Sequence, residues 1–151
     1  MRERFSMAIL EIPTAEFTAP LGLPWMFRDL RDLFAHIIEG EDNWVRSVVQ
    51  GEPRVERRPD AFPDAAAVVR RWEEVRRRTK EHLARADEAE LLRVVTAPFH
   101  GNPKFMVRQI FLHLFVHEIH HRGQITAAMR LRGIAPPPSD FYDYVAEQLQ
   151  M

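Results

Sequence analysis

The chain contains no cysteine. That excludes disulfides, thiolate metal ligands and thiol nucleophiles from the protein side. Long apolar runs are missing as well. The densest, Ile110 to Val116, is broken by His113 and falls well short of the ~18 residues of a membrane span. The first residues, Met-Arg-Glu-Arg-Phe-Ser, offer no apolar stretch of signal-peptide length. Nor is there an excess of one charge: 21 basic residues stand against 22 acidic ones, for a net charge of −1. That balance leaves no electrostatic footprint for nucleic acid or an anionic membrane. Convincing strand alternation, internal repeats and low-complexity segments are absent too. The expectation is a soluble cytoplasmic protein without nucleic-acid or membrane partners.

What is present suits one globular domain over residues 1–151. Hydrophobic residues make up 46% of the chain and charged ones 28%, enough for a substantial core. Residues 2–10 can form a short helix, and 11–24 form a turn-rich connection marked by Pro13, Pro20, Gly22 and Pro24. From about Phe27 to Val49, the residues Leu30, Leu33, Phe34, Ile37, Ile38, Trp44, Val45 and Val48 recur at helical spacing. His36 lies on the border of that stripe, with Asp29, Asp32, Gly40, Asn43 and Ser47 above and below it. Gln50-Gly51 ends this helix. A polar loop, 51–62, is long enough to cross a bundle.

Asp64 starts a third helix, about 64–86. Val68, Val69, Trp72, Val75, Thr79 and Leu83 form its inner face. Its outer face, with Arg70, Arg71, Arg76, Arg77, Arg78 and Arg85 among glutamates, reads as a solvated surface laced with i,i+4 pairs. Residues 88–95 add a short helix. Asn102 as N-cap and Pro103 at the first position begin a long helix to about 132, stopped by Gly133 and Pro136-Pro137-Pro138. Its upper half is apolar nearly all round. Phe111, Phe115 and Ile119, with Leu112 near them, lie opposite its histidines and need cover from the C-terminal segment or another subunit. Ser139 to Leu149 form a short final helix. The pattern is an all-α bundle.

Four of the seven histidines fall between residues 113 and 121. Helical residues four apart point nearly the same way, so His113, His117 and His121 form a row with His120 and Gln124 beside it. Aligned imidazoles suit neither a surface nor a core unless a cation stands before them. Either His113/His117 or His117/His121 has the i,i+4 spacing that grips one ion, and His36 is the natural third ligand. Neutral imidazoles bind zinc, nickel and related ions. Three of them leave the full dipositive charge on the ion, which lowers the pKa of bound water to about 7 and favours a small-molecule thiolate.

Rival readings are weaker. His117-Glu118-Ile119-His120-His121 matches the H-E-x-x-H metalloprotease motif. No sheet is expected to align a peptide beside it, however, and Gln124 and Ala127 stand where the extended motif has glycine and histidine. A di-iron carboxylate bundle needs two Glu-x-x-His pairs, and only Glu118-x-x-His121 fits. His82 and His100 read as surface residues.

The string His113-x-x-x-His117-x-x-His120-His121-Arg122-Gly123-Gln124-Ile125 resembles the signature helix of the DinB-like family of small four-helix-bundle metalloproteins. Leu30 to Ile37, with His36, and Glu41-Asp-Asn-Trp44 are similar to that family's second helix. The Trp72 region and the tail from Asp140 to Glu147 also resemble their counterparts. The likeness implies an up-down-down-up four-helix bundle with a short C-terminal helix. It implies a divalent metal, zinc or nickel, on His36, His117 and His121, with His113 and His120 behind or beside them. It implies homodimers, and relatives that include thiol-dependent transferases and a thiol-dependent isomerase. The first helix is short for this family.

Gln124 can hydrogen-bond a ligand or bound water. Asp32 and Glu39, one turn either side of His36, can orient its ring or act as a base. The functional expectation is a metal-dependent enzyme of transferase or hydrolase type. It would activate water or a low-molecular-weight thiol against a small-molecule substrate. The opposing expectation is a non-catalytic metal-binding stress-response protein whose ion clamps two helices, closed by a fourth ligand from His113, Asp32 or Glu39.

Overall fold

Two aspartates start the central helices in the same way. Asp29 and Asp64 both hold extended backbone, and their carboxylates accept the amides of Asp32 at 2.7 Å and Ala67 at 2.8 Å. Each satisfies an amide that the first turn leaves bare. The computed structural model describes residues 2–22, 27–56, 58–99, 101–138, 140, 142, 145–146 and 149. In order they form α1 (Arg2–Leu10), α2 (Thr14–Thr18), α3 (Leu30–Asp42) with a π-helical extension (Asn43–Val49), α4 (Ala65–Arg85), α5 (Glu88–Leu92), strands β1 (Val94–Thr96) and β2 (Lys104–Met106), and α6 (Val107–Leu131).

Pairwise contacts fix the helix directions. Arg28 meets Asp60, Glu39 meets Arg71 and Gln50 meets His82, so α3 and α4 run the same way. Parallel neighbours need a long crossing connection, supplied by residues 50–64. Asn43 anchors that loop, donating to the Val55 carbonyl and accepting its amide, both at 2.8 Å. By contrast, His36 meets His117 and His121 while Trp44 meets His113, so α3 and α6 are antiparallel. These are the down-down-up legs of the expected bundle, and α1 packs on α4.

The core divides in two. One cluster joins Phe5, Ile9, Phe17, Leu30, Phe34, Val68, Trp72, Ile125 and Met129. The other joins Val48, Val49, Val95, Ala97, Val107 and Ile110, with Trp44, Phe99, Phe105 and Leu114 against it. Along both α3 and α6 a polar belt separates them: buried Glu39, Glu41 and Asp42 on one helix, buried Glu118 and His121 on the other.

Buried carboxylates demand partners, and α4 provides them. Arg71 grips Glu39 through two bonds, 3.0 and 3.1 Å, and reaches Asp42 at 3.0 Å; Arg78 reaches the other Asp42 oxygen at 2.7 Å. The hydrogen bond to Glu39 chiefly raises the Arg71 pKa. The arginine-rich face of α4 is therefore only partly the solvated surface expected. Arg77–Glu81 is such an exposed pair, but Arg71 and Arg78 turn inward because α3 places uncompensated charge beside them.

Other departures have physical causes. Residues 94–96 and 104–106 form an antiparallel hairpin, with Val94 opposite Met106 and Thr96 opposite Lys104. Three-residue strands are too short for alternation to show. Asn102 is not the cap of α6. It holds φ +58° after Gly101 at +84° in the hairpin loop, and α6 starts at Val107, where Gln109 accepts the Met106 amide at 2.8 Å. The expected helix 88–95 stops at Leu92, and 14–18 is helical rather than turn. Leu83 is 42% exposed instead of inward-facing. Ser139 and most of the expected last helix lie outside the described residues; Tyr142, Val145 and Ala146 are helical.

Removing one partner from a buried ion pair leaves the others uncompensated. Asp42→Ala should therefore lower stability by about 3 kcal/mol, whereas Glu81→Ala, on an exposed pair, should change it by less than about 0.5 kcal/mol. Urea unfolding monitored by circular dichroism measures both.

Candidate metal centre

Because α3 and α6 are antiparallel, one imidazole from α3 meets two from α6. The Nε2 atoms of His36, His117 and His121 form a triangle with all three edges at 3.1 Å. Among the described residues, these three are the group of potential donors that could hold a metal ion. The spacing fits. Two nitrogens each about 2.05 Å from one ion stand about 2.9 Å apart at a right angle and about 3.3 Å apart at the tetrahedral angle. A proton can bridge one edge of such a triangle; a dication faces all three corners.

The rings are also in the right chemical state. Burial, reinforced by the neighbouring histidines, pushes the His117 pKa down to about 3. Burial lowers His121 as well. Neutral imidazole leaves a lone pair free, which metal ligation requires. Gln124 fixes which nitrogen carries it: the His121 Nδ1–H points at the Gln124 Oε1, 2.5 Å away, so Nε2 is the bare one. Gln124 reaches the ring from three residues along the same helix face.

The remaining candidates fall around the triangle or away from it. His113 is exposed, its ring 5.5 Å from that of His117 and 5.1 Å from Trp44. His120 is exposed beside His121, ring centres 4.9 Å apart. Glu39 is turned to α4, where both its oxygens bind Arg71, so it does not serve as a base beside His36. Asp32 accepts the Arg28 amide at 3.1 Å in the turn that opens α3. His82 is not a free surface residue: it is half-buried, 3.1 Å from Glu90 and stacked on Phe111. His100 lies outside the described residues.

Two further residues border the triangle that the sequence did not single out for the site, Phe27 and Gly40. Phe27, fully inside, sets its ring 5.0 Å from His36 and 5.6 Å from His121 and closes one flank of the triangle. Nothing in the sequence marks it, because it precedes α3. Gly40 lies one turn after His36. A Cβ there would meet only the His117 Cε1, at 3.6 Å, an ordinary contact. Its backbone is plain helix, so φ does not call for glycine, which costs about 1 kcal/mol against alanine in a helix interior. The i,i+4 spacing from His36 was the available signal.

Comparison with known proteins agrees with this architecture. The DinB family model matches residues 1–150, and the chain belongs to the DinB family. Among solved structures, it is similar to a DinB-like protein from Bacillus cereus ATCC 10987, with a TM-score of 0.71 and 16% identity, over 90% of this chain and 88% of that one. At that identity the likeness speaks for the fold. The comparison with curated proteins returned no match.

Gln124→Leu removes the acceptor that orients His121. It should weaken zinc binding about 10- to 100-fold, measured by competition against a chromophoric chelator, without loss of helicity.

Proposed function

We propose that the protein is a metal-dependent enzyme in which His36, His117 and His121 hold one divalent ion, zinc or nickel. Its reaction is of transferase or hydrolase type, activating water or a low-molecular-weight thiol for attack on a small electrophile. The observation carrying this reading is the equilateral Nε2 triangle, which supplies three imidazole donors and no fourth among the described residues. A structural clamp would be closed by a further protein ligand; a catalytic site keeps a position open. Of the fourth-ligand candidates, Glu39 is occupied by Arg71 and Asp32 by the start of α3.

The bound dication supplies Lewis acidity, lowering the pKa of a coordinated water to about 7 or favouring a thiolate. The chain's own residues orient and shelter it. Gln124 holds the His121 ring, and Phe27 excludes water from one flank. Exposed His113 and His120 stand at the rim, where a substrate would pass. No described helix is long and apolar enough to cross a membrane, and the proposed setting is the cytoplasm, where small thiols are reduced.

The reading extends to a homodimer. Leu112, Phe115, Val116 and Ile119 line the outer side of α6 at 46–63% exposure, with no charged side chain among them. A continuous apolar stripe of this kind marks an interaction surface. Phe115→Glu should convert a dimer to monomer in sedimentation. An unchanged mass would leave the C-terminal segment as the cover.

Zinc or nickel should bind at one equivalent per chain. His36→Ala, His117→Ala and His121→Ala should each lose stoichiometric metal by elemental analysis while keeping the helical spectrum. Retention of full metal by all three variants would sink the ligand assignment. The loaded protein should also accelerate conjugation of cysteine or glutathione to an activated aryl halide, and His117→Ala should abolish the effect. If loaded and metal-free proteins are indistinguishable across water and thiol nucleophiles, the ion is a clamp.

A further inference from the structure

The two flanks of the histidine triangle differ. Phe27 fills one. On the other, Gly40 leaves a gap in which a Cβ would touch nothing but the His117 ring. His36, Gly40 and Trp44 follow one another at four-residue steps along α3 and its extension, opposite His121, His117 and His113 on antiparallel α6. The face beside Gly40 therefore runs on towards Trp44 and His113, whose ring centres are 5.1 Å apart.

That end is walled by rings. Trp44 is half-buried. Its ring centre is 4.9 Å from Phe99, 5.6 Å from Phe105 and 5.1 Å from His113, each at a steep interplanar angle between 63° and 83°. Three edge-on neighbours fix the indole without sealing it. None of these four side chains is itself a carboxylate, ammonium or guanidinium, and the Arg54 guanidinium lies over the Phe99 ring, 5.8 Å from its centre. They offer aromatic faces and edges, which prefer another ring in offset or edge-on contact.

We propose that the space beside Gly40, walled by Trp44 and His113 and backed by Phe99 and Phe105, is a substrate subsite. It takes a flat aromatic or conjugated group whose reactive end reaches the three histidines. This rests on the metal reading above. Gly40 keeps the passage open, and Trp44 sets the preference for a planar group.

Two chelators with one head group test it. Cobalt(II)-loaded protein is titrated with benzohydroxamate and with acetohydroxamate, and binding is read from the visible ligand-field spectrum. The wild-type protein should favour the aryl compound by about 10-fold, the order expected of one good ring contact. Trp44→Leu should erase that preference and leave acetohydroxamate affinity unchanged. Gly40→Leu, which fills the passage, should weaken both, and the aryl compound more. Circular dichroism checks the fold of each variant, and Gly40→Ala, whose added methyl makes an ordinary contact, provides a milder second step along the same series. Equal affinity of the two compounds for wild-type protein would overturn the subsite and leave the metal site standing. So would an aryl preference that survives in both Trp44→Leu and Gly40→Leu. A chain that takes up no cobalt would overturn the metal reading and the subsite with it.

Discussion

Three imidazole nitrogens 3.1 Å apart constrain everything around them. Burial lowers the pKa of at least two of the rings, so their lone pairs are free where the three converge. A helix pair could have filled this seam with leucine. Instead the seam is polar, set between two apolar clusters that hold α3 and α6 in place from either end. The clusters bury the apolar surface, and the belt between them holds the histidines and the buried carboxylates.

Holding His36 opposite His117 and His121 requires that α3 neither rotate nor slide. The carboxylates of Glu39 and Asp42 lie within two turns of His36 and are buried, so their arginine partners on α4 act as a lock on rotation. A two-pronged guanidinium bond is directional, and a shift of one residue would break it. The same arrangement turns Glu39 towards α4 and away from the histidines. The ion pairs thus contribute to geometry on one side of α3 and to the donor set on the other.

Asymmetry about the triangle bears on chemistry. Phe27 packs against His36 and His121, whereas at Gly40 only the His117 ring lies within 4 Å of where a Cβ would stand. Trp44 gathers Phe99, Phe105 and His113 around it where the π-helical extension of α3, the hairpin and the start of α6 meet. Family membership accounts for the bundle.

Local spacing alone made the histidine row, the start of α4 at Asp64, and the stops at Gly51 and Gly133 legible, because capping and helical periodicity act within a few residues. It also singled out His36 and Gln124, since residues three or four apart must share a face. Long-range contacts decided the rest. Arg71 and Arg78 look like any solvated arginines until α3 sets buried carboxylates against them. Glu39 looks like a base for His36 until Arg71 claims it. Phe27 and Gly40 become part of the site only when α6 arrives. The hairpin at 94–106 is held by pairing across a loop, and three-residue strands carry too little pattern to announce it. The chain's order of residues determined which groups could share a face; packing between helices distant in sequence determined which of them share a site.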